Sequence, residues 1–493
     1  MAYAFNRITP EQAGIPSSAI SAFLDKMEEK GIVLHSFLIV KDGNLCLEAY
    51  WKPFDKDFKH RLYSSSKSFT SVAIGILIGE GKLSLDDKAI SFFPDKVPAD
   101  VSPLLAMTTI RDLLRMASPY AKGATYTPMD PDWGDTMFAA ETNHYPGTVY
   151  QYDTTATTML CMIVKRITGE DIIDYLKPRL FDHIGISRET TCVKTPCGYD
   201  WGGSGVLATP RDFARFATIC LNMGKHEGKE LIPEWYMREA TSKQIDNRSA
   251  QTHPESCFGY GYQFWMTRYN GFATTGMGCQ LSINLPEYGC SFVFTGDTQS
   301  IPNGYPAYVY PAVWDFLYPH LTKKCPLPEN PEAYQALCDR VANLSVPTTE
   351  GDMTSPLAEK VNGKEYILQE NPMKISRIKF TFEGDEGVMA YTNATGDHEI
   401  RFGFGHQVRG IFPETHYFDA QIGVPANRGY DIITSGAWTV NDSLIVECFA
   451  IDKYFGKIRM TFGFKDDKLT VMMQKVAEWF FNEYQGIACG EAK

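Results

Sequence analysis

Apolar residues recur along this chain with two different periods, and the alternation between them lays out its elements. Residues 36–51, SFLIVKDGNLCLEAYW, form two apolar-rich runs around Asp42-Gly43, a pair suited to the positive backbone angles of a tight hairpin turn. An antiparallel sheet is predicted to begin there. Residues 65–80 are apolar on nearly every side and are followed by Gly81, the pattern of a buried helix with a glycine stop. Residues 155–168, closed by Gly169, predict a second helix. TPRDFARFATICLNMG from Thr209 predicts a third, with Pro210 in its first turn and Gly224 at its end. Three short β-type runs follow at 272–276, 280–285 and 290–295, with PEYG turning between the last two.

The pattern changes near Lys323. A proline-bearing polar stretch with one amphipathic helix leads into alternating runs, RIKFTFEG, GVMAYTN, HEIRFGFG, SLIVECFAID, KIRMTFGF and KLTVMMQKV, separated by turn residues. The expected organisation is a first domain over 1–322, a linker with one helix over 323–363, and an antiparallel all-β domain, barrel or sandwich, over 364–493. No chemical motif stands out in the last of these.

Composition narrows the functional classes. The 493 residues are 44% hydrophobic and 22% charged, ordinary for a folded protein. A net charge of -12, without clustered Lys and Arg, argues against a nucleic-acid partner. No run approaches the roughly 20 apolar residues of a membrane span, and residues 1–12 lack the pattern of an export signal. A cytoplasmic protein with no membrane partner is expected. The 12 cysteines show no CxxC pair and no Cys/His spacing for zinc, so reduced thiols are expected, with no metal and no cofactor. Small-molecule chemistry remains open, and a homo-oligomer is compatible with all of this.

Candidate chemistry lies at the start of the first predicted helix, in HRLYSSSKSFTS from His60. Residues three apart share a helix face, so of Ser64, Ser65, Ser66 and Ser68 only Ser64 sits three before Lys67 and on its side. A serine hydroxyl needs a base within hydrogen-bond reach, and a lysine serves only when unprotonated. Burial and the positive end of a helix both favour that state. The competing reading is plain: S-x-x-K arises by chance, and serines collect at helix starts as caps.

Context decides between them. LYSSSKSFTSVAIGILIGEGKLSLDDKAISFFPD resembles the nucleophile segment of the serine β-lactamase-like family, which includes class C β-lactamases, DD-peptidases, EstB-type esterases and 6-aminohexanoate-oligomer hydrolases. TTIRDLLRMASPY, DPDWGDTMF, PGTVYQYDTTATTMLCMIVKRITGEDIIDYLKPRLFDHIGIS, GGSGVLATPRDFARF and GFATTGMGCQLSINLPE then follow in the family's order. The resemblance covers roughly residues 10 to 320. It implies an α/β fold, an antiparallel sheet flanked by helices plus a mostly helical subdomain, with the active site between them.

Carried over by residue, the resemblance makes Ser64 the nucleophile and Lys67 its base partner. The Tyr-x-Asn motif falls on Tyr152, Asp153 and Thr154, so Tyr152 would relay protons, a role that calls for a phenol made more acidic by nearby positive charge. The Lys-Thr-Gly motif falls on Thr274, Thr275 and Gly276. The Met277 amide would join that of Ser64 as the oxyanion hole. Thr154 stands where the family has asparagine and Thr274 where it has lysine, which removes the expected anchors for a substrate amide and carboxylate. An acyl-enzyme hydrolase of a small ester or amide is therefore expected. β-Lactamase or D-amino-acid peptidase activity in the same site is the alternative, and a non-catalytic ligand-binding member a second one. Asp153 could meet a cationic substrate group or simply cap a helix. Trp133 and Trp265 could wall the substrate pocket or be buried packing. No histidine sits in a motif, and Gly-x-Ser-x-Gly is absent, which disfavours a Ser-His-Asp site.

Overall fold

A computed structural model describes residues 5–127, 130–413, 429–439, 442–478 and 480–493. Two compact units divide the chain, residues 1–346 and residues 347–493.

Six strands make the main sheet of the first unit: β1 (Leu34–Lys41), β2 (Asn44–Tyr50), β3 (Trp265–Met266), β4 (Phe272–Gly276), β5 (Gln280–Leu285) and β6 (Cys290–Gly296). Their spatial order is β2-β1-β6-β5-β4-β3, and every pairing is antiparallel. Asp42 and Gly43, at φ 49° and 78°, turn the β1–β2 hairpin as their types predict. All eight residues of β1 are buried, so both faces of the sheet are covered.

Five helices of 12 or more residues stand in this unit among the described residues: α1 (Ser17–Glu29), α2 (Ser66–Gly79), α3 (Thr154–Thr168), α4 (Pro210–Leu221) and α5 (Pro331–Ala342). Phe23 of α1 packs on Phe37 of β1 and Phe294 of β6, with ring centroids 4.9 and 5.8 Å away. Phe69 of α2 stacks on Phe216 of α4 at 3.6 Å. From Ser66 to Leu77 every residue of α2 is buried, which is why its sequence lacks a polar face. Shorter helices and loops between α2 and β3 form the helical part. Residues 323–346 belong to the first unit. They carry α5, whose Arg340 donates to Ser21 O at 3.0 Å and pairs with Asp25 and Glu28 of α1.

Among its described residues the second unit has a short helix, Pro356–Val361, followed by ten strands. These are β7 (Glu365–Leu368), β8 (Arg377–Glu383), β9 (Glu386–Asn393), β10 (Gly396–Phe404), β11 (Val408–Ile411), β12 (Asp431–Thr439), β13 (Ser443–Ile451), β14 (Phe455–Lys465), β15 (Lys468–Ala477) and β16 (Gly486–Ala492). Nine close into a barrel in the order β10-β9-β8-β7-β16-β15-β14-β13-β12, and β11 pairs outside the ring with β12. Of the barrel and sandwich alternatives, the barrel is the one formed. An odd ring cannot be antiparallel throughout. The β10–β12 seam is accordingly parallel, pairing Gly403 with Ser435 and Phe404 with Gly436. Phe380, Phe462 and Trp438 are buried in this unit, with Phe380 and Phe462 ring centroids 4.8 Å apart. Among the described residues no helix is long and apolar enough to cross a membrane.

Candidate active site

The serine-rich segment begins on a two-residue strand, His60–Arg61, continues through a 3-10 turn, Tyr63–Ser65, and then enters α2. Ser64 thus lies on a tighter turn just ahead of the helix, which begins at Ser66 and not at residue 65. Tyr63, at φ 45°, takes the left-handed backbone that re-aims the chain at that point. The four hydroxyls have separate partners. Ser65 donates to Gln280 O at 2.7 Å, Ser66 accepts from Val206 N at 3.0 Å, and Ser68 donates to Gln263 O at 2.7 Å. Ser65 ties the turn, and Ser66 and Ser68 tie α2, each to a different backbone segment. Ser64, half-buried, instead accepts from Lys67 Nζ at 3.2 Å and shares a hydrogen bond with Tyr152.

Lys67 is 1% exposed, so its charge would be held almost without water. Its ammonium also donates to Gly203 O at 2.7 Å and lies 4.9 Å from the centre of the Tyr152 ring. Burial brings its pKa down from 10.5 to about 7, against the opposing pull of the Asp153 carboxylate. At neutral pH a large fraction of Lys67 is therefore free amine, able to take a proton from Ser64.

Tyr152 differs from expectation. Burial raises its pKa, opposed only by the Ser64 hydrogen bond, so the phenol is protonated at neutral pH. The neighbouring amine is too nearly neutral to supply the positive field that would make the phenol acidic. Its hydroxyl can still pass protons by donating one while accepting another.

The end of β4 closes the other side of Ser64. A Cβ on Gly276 would stand 2.2 Å from Leu62 O and 3.2 Å from Ser64 N, so only glycine allows this approach. Met277 is the residue that follows this close approach to the Ser64 turn. Gln280 supports the arrangement by donating to Met277 O at 3.2 Å and Gly296 O at 2.7 Å. Thr274 is buried, with its Oγ1 2.9 Å from Ser282 Oγ, its cross-strand partner on β5. Thr275 points the other way along the strand, is half-buried, and hydrogen-bonds Tyr305.

The remaining candidates divide. Thr154 is half-buried, and its methyl group would lie 2.7 Å from a Cβ on Gly203, the residue whose carbonyl receives Lys67. Asp153, grouped with substrate-binding residues from the sequence, is 0% exposed and caps α3. Its carboxylate accepts from Thr155 N at 2.7 Å and Ser118 Oγ at 2.6 Å, an inward geometry that corrects the expected contact with substrate. Trp133 is also 0% exposed. It stacks on Tyr126 at 3.8 Å and donates to Thr127 O at 3.1 Å, so it is packing and not a pocket wall. Trp265 is half-buried and lies 5.6 Å from the Tyr152 ring and 5.1 Å from that of Tyr260.

Sequence reading missed Gly203, Arg61 and Tyr305. Arg61 is fully buried, donating to Ser204 O and Oγ at 2.9 Å while its guanidinium lies 4.7 Å from the Trp201 ring. The run GGSG was the available signal, since glycines that leave room for neighbours often line a site. Tyr305 had none. Among the described residues no group of three or more His, Cys, Asp or Glu side chains is arranged to hold a metal ion.

Comparison with known proteins agrees with this architecture. The family described as Beta-lactamase matches residues 19–301, more than half of the chain. The 6-aminohexanoate-dimer hydrolase of Paenarthrobacter ureafaciens is 23% identical over 292 residues, covering 55% of this chain and 74% of that protein. A solved structure from Bacillus anthracis, described as a candidate 6-aminohexanoate-dimer hydrolase, superposes with a TM-score of 0.52 at 19% identity, over 64% of this chain and 88% of that one. The structure of SurE matches 91% of this chain and 93% of its own, with a TM-score of 0.50 at 13% identity. These last two establish likeness of fold.

Proposed function

The chain belongs to the beta-lactamase family of serine hydrolases, and from that membership and the geometry around Ser64 we propose that it hydrolyses small esters or amides through an acyl-enzyme. The observation that carries the reading is the Lys67 amine, buried, near neutrality at physiological pH and 3.2 Å from the Ser64 hydroxyl.

In this mechanism Ser64 Oγ forms a bond to the substrate carbonyl carbon as its proton passes to Lys67 Nζ. The amides of Ser64 and Met277 hold the resulting oxyanion. Collapse breaks the bond to the leaving group, which receives the proton from Lys67 through the Tyr152 hydroxyl. Water then repeats the sequence on the acyl-enzyme and regenerates Ser64.

The side chains near Ser64 support a reading of the substrate class. The Thr274 hydroxyl is turned into the sheet, and the half-buried side chains about Ser64, those of Tyr152, Thr154, Trp265, Thr275 and Tyr305, are uncharged. None of these side chains would form a salt bridge with a substrate carboxylate, which supports a preference for neutral acyl groups. The resemblance to a hydrolase of a 6-aminohexanoate dimer supports including small amides.

Intact mass after fluorophosphonate treatment, beside a panel of p-nitrophenyl esters, anilides and nitrocefin, tests the reading. One adduct on Ser64 is expected, with ester kcat/KM exceeding that of nitrocefin by more than about tenfold, the equivalent of 1.4 kcal/mol of transition-state contact. Efficient nitrocefin turnover would favour β-lactamase activity, and absence of any adduct would leave a non-catalytic binding protein.

A further inference from the structure

Proton transfer from Ser64 to Lys67 depends on where the lone pair of the lysine points. A free amine has two N–H bonds and one lone pair, so fixing one N–H limits the directions the lone pair can take. Lys67 has such an anchor in the Gly203 carbonyl, 2.7 Å from Nζ, while Ser64 Oγ lies 3.2 Å from the same atom. The aim of the base at the nucleophile is therefore only as firm as the Gly203 carbonyl.

Gly203 lies in a turn over residues 202–204 and belongs to no helix or strand. Its peptide is held from one side by Ser204 N, which donates to Trp201 O at 2.9 Å. Arg61 holds the other side. Its Nε donates to Ser204 O and its Nη2 to Ser204 Oγ, both at 2.9 Å, a two-pronged grip that suits a planar guanidinium and not an ammonium. The same guanidinium lies 4.7 Å from the Trp201 ring and 4.3 Å from that of Tyr63, the residue before Ser64. Arg61 is 0% exposed, and its backbone pairs with Leu207 on the neighbouring strand. An apolar side chain would fill that volume without the cost of burying a cation. What the guanidinium adds is a fixed spacing between the loop that anchors the base and the turn that carries the nucleophile.

We propose that Arg61 is a positioning residue for acyl transfer, which clamps Ser204 so that the adjoining Gly203 carbonyl holds the Lys67 amine aimed at Ser64 Oγ. The proposal rests on the Ser64–Lys67 reading above. It concerns placement of the base, so its effect is on the bond-forming step once Lys67 is a free amine.

The test is fluorophosphonate labelling of Ser64 at pH 9, well above the value of about 7 to which burial brings Lys67, so that protonation of the base does not enter. In that reaction the Ser64 oxygen bonds to phosphorus, fluoride leaves, and the serine proton goes to Lys67. The dependence of rate on probe concentration separates probe binding, KI, from the bond-forming step, kinact. Arg61→Lys keeps the charge but replaces the fork by a single point of contact. Its kinact should fall at least about tenfold with KI unchanged, since small misplacements of a reacting group cost rate steeply. Ser204→Ala removes one of the two acceptors and should lower kinact by about threefold, and the double variant should be no slower than Arg61→Lys alone, because both changes break one contact. Circular dichroism establishes which variants fold. A folded Arg61→Lys with wild-type kinact, or a loss confined to KI, would overturn the proposal and leave Arg61 a packing residue; if that variant does not fold, the same outcomes in Ser204→Ala decide. Losses that multiply in the double variant would also overturn it, since Arg61 would then not act through Ser204. Absence of labelling in the wild type would instead overturn the hydrolase reading itself.

Discussion

Replacing Lys67 by methionine should stabilise the protein at neutral pH while abolishing its chemistry. Methionine matches the length of the lysine stem and carries no charge to desolvate. Burial moves the lysine from 10.5 to about 7. At roughly 1.4 kcal/mol per unit, carrying this group into the folded state costs on the order of 4 kcal/mol at pH 7. Against this stands the Gly203 carbonyl, which loses its 2.7 Å donor and costs about 1–3 kcal/mol if left unpaired. The variant should therefore gain about 1–3 kcal/mol. Between about pH 7 and 10.5 the unfolded chain binds the proton that the folded chain has released, so wild-type stability rises with pH across that window. Below it, both states are protonated and the penalty is complete. Above it, both are neutral and the penalty is gone. The advantage of methionine should shrink steadily from pH 7 to 10 and reverse near the top. Urea unfolding at several pH values, followed by tryptophan fluorescence, measures this, since six of the eight tryptophans lie in residues 1–346. A stability difference that does not change with pH would refute the buried, near-neutral lysine on which the proposed chemistry depends.

Ser65→Ala and Ser66→Ala should keep fluorophosphonate labelling that Ser64→Ala loses, yet each should lower stability by about 1–2 kcal/mol because a buried backbone group on another segment loses its partner. Labelling that survives in Ser64→Ala would sink the assignment of the nucleophile. Gly276→Ala should cost about 1–3 kcal/mol and slow labelling at least tenfold, since its Cβ would enter the Leu62 carbonyl 2.2 Å away; normal kinetics would show that β4 does not shape the nucleophile's turn. Trp133→Phe should reduce thermal stability and leave relative kcat/KM values across an ester series unchanged. A reordered series would return Trp133 to the pocket wall.

Much of the scaffold was legible because local chemistry and tertiary structure agree. Asp42-Gly43 turns the first hairpin, Gly169 ends α3 at φ 77°, and the runs at 272–276 and 280–285 are strands β4 and β5. Strand β12 was missed because Ser435 and Gly436 interrupt its apolar pattern. Its serine accepts from Thr349 N at 2.9 Å, and a Cβ on its glycine would stand 2.6 Å from the Phe402 ring. Both are demands of tertiary neighbours that local pattern does not carry. The Ser64–Lys67 spacing likewise predicted a contact the fold makes, since both belong to adjoining turns. Tyr152's raised phenol and Asp153's inward carboxylate were not legible, because adjacent positions in sequence reveal neither depth of burial nor direction. The same limit applies to Trp133, an aromatic beside acidic residues in DPDWG that proves to be fully enclosed.

The odd strand count of the second unit has a consequence for how that unit opens. Among the described residues each of the nine barrel strands has a neighbour on both sides, whereas β11 is paired on one side only, with β12, and so is the strand that offers an outer edge to strand addition. The β10–β12 seam pairs two residues among those described, Gly403 with Ser435 and Phe404 with Gly436, while β14 and β15 are matched over ten. Under native conditions the barrel should unzip first along this seam, with amide protons there exchanging by a local opening that leaves the β13–β15 hairpins intact.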